Sequence, residues 1–221
     1  MVKADLHVHT LYSVDSASPL EEIIARCLEV GINCLAIADH GTIAGALRLQ
    51  EMAPFQIIVA EEILTLSGEI MGLFLREEIP SKLPIDETIA RIKAQDGLVG
   101  IPHPYDTLRL SAFRDTAFET IVPQVDIVEV FNSRSLSVRN SSKAWRLAHK
   151  YGKLVSAGSD AHRPSEIGNA YVEMPEFNGK DEFVASLAEG KVFGHRSNPL
   201  VHFVTTWTRL KKHLSQEKPP C

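Results

Sequence analysis

Cysteine is scarce in this 221-residue chain, which carries only Cys27, Cys34 and Cys221. An odd count without CxxC spacing suggests neither a disulfide framework nor a thiolate zinc site; Cys27 and Cys34 are expected in the core. Positive charge does not predominate either: 23 Lys and Arg face 28 Asp and Glu, a formal net charge of -5. Broad nonspecific binding of nucleic acid, which needs many cations on phosphates, is thereby disfavoured, although a few placed arginines could hold one phosphate. No window approaches the ~18 consecutive apolar residues of a membrane span, and no basic start runs into an apolar stretch. The expectation is a cytoplasmic protein with no membrane association. A G-x-S-x-G elbow and a Walker A loop are missing, which leaves serine-esterase and P-loop NTPase chemistry without support. No fixed-period repeat or low-complexity run is present, which disfavours solenoids and propellers.

What is present is an ordinary globular composition, 44% hydrophobic and 23% charged, enough for one sizeable core. A single domain over 1–210 is expected, followed by a polar tail over 211–221 that closes with Pro219 and Pro220 and should fray. Apolar runs of strand length recur at Lys3–His7, Asn33–Ala38, Gln56–Ile63, Leu98–Ile101, Asp126–Phe131 and Lys153–Ala157, interleaved with helical patterns. The first helix should run Pro19–Val30 with Ser18 as N-cap, Glu21 and Glu22 in its first turn and Gly31 as its stop. Further helices are expected at Ile85–Gln95, Ser137–Lys150 and Lys180–Glu189. Ser67-Gly68 breaks the alternation with a hairpin into Ile70–Leu75. The alternation as a whole favours a parallel sheet or barrel.

Groups able to bind metal sit at the ends of these strands. His7 and His9 close the first, Asp39 and His40 the second, Glu61 and Glu62 the third; His103, Asn132, and Asp160 with His162 follow later strands. In a β/α barrel the carboxyl ends of all strands share one face, so one rim would gather them. His7 and His9, two apart on an extended segment, point the same way, and Asp160 and His162 can likewise face one cavity. Pro102 and Pro104 should hold His103 in an extended presentation. Asp39 is a candidate helix cap or a group orienting His40. Imidazole and carboxylate without thiolate suit Mn, Zn or Fe at a catalytic site. Each feature also has a plainer explanation as a cap, turn or solvated edge; their joint recurrence is what points to metal.

The motifs Asp5-Leu6-His7-Val8-His9, Asp15, Ala38-Asp39-His40-Gly41, Glu61-Glu62-Ile63, Pro102-His103-Pro104, Val128-Glu129-Val130-Phe131-Asn132 and Gly158-Ser159-Asp160-Ala161-His162 together resemble the PHP family. That family is named after the phosphoesterase domains of bacterial polymerases and histidinol phosphatase. The resemblance implies a distorted seven-stranded (β/α)7 TIM-like barrel with two or three divalent metal ions at its rim. By position, His7, His9, Glu62 and Asp160 would hold the first ion. Glu62 would bridge to a second, also held by His103, and Asp15, His40 and His162 would hold the third. The second ion then lacks a ligand, because this chain has Gly68-Glu69-Ile70-Met71-Gly72 where many members carry a histidine. Glu69 is either its replacement, which would favour a hard ion such as Mn, or a solvent-facing hairpin residue.

The resemblance implies a phosphoesterase in which the metals lower the pKa of a water for in-line attack at phosphorus. Asp160, His162, Arg134 and Arg109 are the candidate catalytic residues, the two arginines as phosphate-orienting cations in rim loops; Arg163 and His195 rank below them. The expected substrate is a small phosphate ester or nucleotide, with short single-stranded nucleic acid as a second class. Two other functions stay open. One is an amidohydrolase-type C–N hydrolase, whose usual bridging lysine is not evident here. The other is a noncatalytic metal-binding regulatory module.

Overall fold

Of the first strand, β1 (Val2–Val8), every residue but Lys3 is buried, the pattern of a strand covered on both faces. It sits inside a nine-stranded sheet of order β7-β6-β5-β4-β3-β2-β1-β8-β9. In chain order the elements of this computed structural model, which describes residues 1–106 and 120–215, are β1, α1 (Leu20–Val30), β2 (Cys34–Ile37), α2 (Ala44–Met52), β3 (Gln56–Leu64), β4 (Glu69–Leu73), α3 (Ile85–Ala94), β5 (Leu98–Ile101), β6 (Ile127–Asn132), α4 (Val138–Lys150), β7 (Leu154–Gly158), β8 (Ala170–Met174), α5 (Gly179–Ala188), β9 (Lys191–Gly194) and α6 (Val201–Ser215).

β1, β2 and β3 pair in parallel, as do β5, β6 and β7; β4 runs antiparallel between the two groups. The hairpin expected at Ser67-Gly68 is therefore present. The sheet nearly closes on itself. Just beyond β7 the Asp160 N–H donates to the His7 carbonyl (2.8 Å) and the His9 N–H to the Ala161 carbonyl (2.9 Å). Gly158 permits this approach, because a Cβ there would lie 2.3 Å from the His7 Cβ.

Alternate residues of β2 divide the core. Leu35 and Ile37 pack with Ile23 and Cys27 of α1 and Leu49 of α2, outside the sheet. Cys34 and Ala36 join Ala4, Leu6, Ala60, Met71 and Ile127 on the other face, where Phe183 and Leu187 of α5 complete the cluster. Small residues on that face let the strands curl tightly.

The nine strands correct the expected seven. β8 and β9 form an antiparallel pair, joined through α5, that is appended to the first half of β1, leaving its second half to meet the segment after β7. α1 starts at Leu20 with Pro19 as its capping position, so Ser18 is not the N-cap; its hydroxyl instead accepts from Ser16 (3.2 Å). Gly31 ends the helix as expected, with φ 73°. α6 continues to Ser215, past the boundary expected at 210. Arg109 lies outside the described residues. Among the described residues, no helix is long and apolar enough to cross a membrane.

Candidate metal centre

The ends of the strands bring nine expected groups to one rim, with irregular backbone doing the aiming. The register of β1 slips between Asp5 and Val8, and that of β6 between Glu129 and Phe131; such bulges re-aim side chains. His103 has φ 25° and Asp160 φ 54°, conformations that cost a non-glycine residue energy and concentrate at functional sites. His103 is therefore not extended, contrary to the expectation set by Pro102 and Pro104. His103 is held in this turn by its N–H, which donates to Glu129 Oε2 (2.5 Å), and by its carbonyl, which accepts from the Asp106 N–H (3.3 Å). The Asp160 N–H is bound to β1 instead of continuing β7.

His7 Nε2 and His9 Nε2 stand 3.1 Å apart, and His7 Nε2 is 3.2 Å from Glu62 Oε2. His9 Nε2 also lies 3.4 Å from Glu62 Oε2 and 3.3 Å from Asp160 Oδ1. Glu62 reaches across to His103, with Oε1 2.7 Å from His103 Nε2. On the other side Asp15 Oδ2 lies 3.3 Å from both His40 Nε2 and His162 Nε2. These contacts resolve into three overlapping groups with metal-ligand spacing: His7, His9 and Asp160; His7, Glu62 and His103; and His9, Asp15, His40 and His162. Glu69 is buried rather than solvent-facing, with its Oε2 3.8 Å from His103 Nε2.

Buried lone pairs in this number repel unless cations stand among them. Without metal, protons must serve. Burial opposes a charged His7, but the carboxylates of Glu129, Glu62 and Asp160 outweigh it and raise its pKa well above the usual range. The same contest raises His40 to about 10, with Asp15 and Glu62 prevailing over burial. Burial would raise Glu62, yet His7, His40 and His103 hold it well below a normal carboxyl. Asp15 is likewise lowered against burial by His162 and His40. His162 goes the other way, pushed to about 4 mainly by burial. The donor set, imidazole with carboxylate and no thiolate, fits divalent ions of the Mn, Zn or Fe kind. His40, with 21% of its side chain exposed, is the most accessible of these groups, so solvent meets the cluster on the Asp15–His40 side.

Several residues behind the cluster were not singled out for this role from sequence. Glu129 Oε1 sits 3.1 Å from His7 Nδ1, while its other oxygen accepts from the His103 N–H and from Asn132 Nδ2 (3.1 Å). One carboxylate thus orients two histidines. A single acid inside the apolar run of β6 was the available signal. Asn132 also donates to Asp160 Oδ2 (3.2 Å). Asp5 accepts from the Ser159 and Gly168 N–H groups (2.8 and 3.0 Å), and burial pushes its carboxyl up to about 7. Asp39 neither caps a helix nor contacts His40 by hydrogen bond; it accepts from the Thr10 N–H and hydroxyl, both at 2.6 Å. Arg134 is 3% exposed. Its guanidinium binds the Asp160 carbonyl (3.3 Å), His162 Nδ1 (2.5 Å), the Val201 carbonyl (3.1 Å) and Thr205 Oγ1 (2.6 Å).

The family model of the PHP domain matches residues 5–76 and that of a PHP-associated region matches residues 139–192. The uncharacterized protein MJ0417 of Methanocaldococcus jannaschii is 39% identical over 180 residues, covering 80% of this chain and 72% of its own. A two-domain protein of Bacteroides vulgatus, described as containing a predicted PHP-like metal-dependent phosphoesterase, superposes with a TM-score of 0.70 at 16% identity. That match covers 88% of this chain but 65% of the Bacteroides chain. A structure described as an amidohydrolase from Chromobacterium violaceum superposes with a TM-score of 0.61 at 15% identity, covering 92% of this chain and 96% of that one.

Proposed function

Because this chain belongs to the PHP domain family, we propose that it is a metal-dependent phosphoesterase acting on a small phosphate ester or nucleotide. The observation that carries this reading is the convergence of His7 and His9 Nε2, 3.1 Å apart, on Glu62, with two further His and carboxylate groups sharing those residues. The ligand sets are His7, His9, Glu62 and Asp160; Glu62, His103 and Glu69; and Asp15, His40 and His162. Two or three divalent ions bound there would activate a water for attack at phosphorus and offset the charge that develops on the phosphoryl oxygens.

The remaining work falls to the chain's own groups. Glu129 and Asn132 fix the orientation of His7, His103 and Asp160. Glu69 contributes oxygen where a nitrogen ligand would favour Zn, so Mn is the preferred ion. Asp15 and His40 border the solvent side, where a phosphate group would enter. A ligand cluster almost wholly buried, in a chain of net charge -5, suits a small ester better than a long duplex. Arg134 acts through His162 and Asp160 rather than on phosphate, since its two terminal nitrogens are engaged behind them.

The test is turnover of a panel of phosphate esters, nucleotides, short oligonucleotides and amides after chelation and after reloading with Mn, Zn or Fe. Phosphate release that needs metal and is abolished in His9→Ala and Asp160→Asn is expected. Amide cleavage alone would favour a C–N hydrolase. Tight metal binding without turnover would favour a regulatory module.

A further inference from the structure

α6 lies beside the candidate metal centre, and among its described side chains no large apolar residue is buried there. Its large apolar residues point outward: Phe203 is 74% exposed, Trp207 67% and Leu214 74%. The described side-chain contacts that tie it to the centre are polar. The Lys212 ammonium donates to the carbonyls of Leu11 and Ser13, both at 2.7 Å. Two turns earlier, Arg134 donates to the Val201 carbonyl and to Thr205 Oγ1.

Each attachment leads directly to a ligand. From Lys212 the path runs through Ser13, whose hydroxyl donates to Asp15 Oδ1 (2.7 Å). Asp15 Oδ2 then faces His162 Nε2 at 3.3 Å. From the other side of that ring, His162 Nδ1 meets Arg134, which returns to Thr205. The result is a closed circuit: α6, Lys212, Ser13, Asp15, His162, Arg134 and α6 again. Ser16 cross-braces it, its hydroxyl within 3.1 Å of both the His9 and the His162 carbonyls. A helix rises about 1.5 Å per residue, so Thr205 and Lys212 form a rigid gauge of roughly 10 Å between the two loops.

We propose that α6 is a clamp on the metal centre, with Lys212 and Arg134 as positioning residues that set the spacing of Asp15 and His162. The inference rests on the reading that these two residues, with His40, hold an ion. It assigns to the C-terminal helix control of that one site, while the His7, His9, Glu62, His103 and Asp160 group is held by the strands and by Glu129.

The experiment is equilibrium dialysis of the intact protein against Mn, with elemental analysis of bound ion, for wild type, Lys212→Met, Thr205→Val, Lys212→Arg and Asp15→Asn. Lys212→Met and Thr205→Val, each one bond further out than a group that touches a ligand and is worth about 10–100-fold, should weaken one class of bound ion by about 10-fold and leave the others at wild-type affinity. Lys212→Arg should restore it. Should Lys212→Met fail to fold by circular dichroism, Thr205→Val, which removes a single hydroxyl, decides alone. Folded α6 variants that bind every ion as wild type does, or that lose all ions together, overturn the clamp. Asp15→Asn without effect on stoichiometry overturns the metal assignment at Asp15, and the clamp with it.

Discussion

Gly158 is where the sheet closes, and adding one methyl group there is a stringent perturbation. In Gly158→Ala the new Cβ would stand 2.3 Å from the His7 Cβ, 2.8 Å from its N and 3.0 Å from its Cα. Carbon atoms rest at about 3.5 Å or more, so β1 and β7 must part by about 1.2 Å at this point. Inserting a methyl into packed structure costs about 1–3 kcal/mol. For a chain of this size that lowers Tm by roughly 2–12 °C. The larger effect should be on metal, because coordination tolerates only about 0.2 Å of displacement and His7 belongs to two of the three ligand groups. Gly152→Ala is the control. Gly152 has φ +60° with nothing within 4 Å of a built Cβ, so the variant should lose about 1–2 kcal/mol to backbone strain and keep its metal. Thermal melts and bound-metal analysis on both variants read the two effects separately. Gly158→Ala with wild-type metal content and an unchanged melt would refute the close approach of β7 to β1 and the placement of His7 that depends on it.

Three further outcomes follow from the same geometry. Glu129→Ala removes the partner of both His7 Nδ1 and the His103 N–H, and should weaken metal binding about 10–100-fold by calorimetric titration. Chelation should lower Tm, since an ion present at one hundred times its Kd adds about 2.7 kcal/mol, or about 5–11 °C; identical melts with and without chelator would count against bound metal. In the metal-free protein, burial and the stronger opposing pull of Asp15 and Glu62 leave His40 raised from 6.5 to about 10. Its raised pKa means the folded state holds the proton more tightly, so this stabilisation is complete below 6.5 and lost as pH rises through about 10. Urea melts of the chelated protein should therefore weaken from neutral to alkaline pH, and metal, by replacing that proton, should flatten the slope.

The site was legible in sequence because its groups fall at strand ends, where polar residues interrupt apolar runs: His7 and His9, Glu62, and Asp160 with His162. Topology alone then places them on one rim. The hairpin into β4 was legible for a similar reason, as Ser67-Gly68 is turn chemistry. What escaped the sequence was set by tertiary contact. His103 between two prolines looks extended, but the Glu129 carboxylate, from another strand, holds its N–H in a left-handed turn. Arg134 looks like a rim cation, yet it is drawn inward by acceptors on α6 and beyond β7 that are distant in sequence. β8 carries the alternating burial of a half-covered strand, and β9 is mostly exposed. Neither carries a ligand, so nothing in the motif pattern drew attention to them.

Anomalous diffraction from crystals soaked with Mn tests the central claim most directly. The account predicts two or three peaks, each within coordination distance of Glu62, His9 or both, one of them flanked by Asp15, His40 and His162. Crystals whose peaks lie elsewhere, or that show none beside Glu62 at saturating Mn, would contradict it.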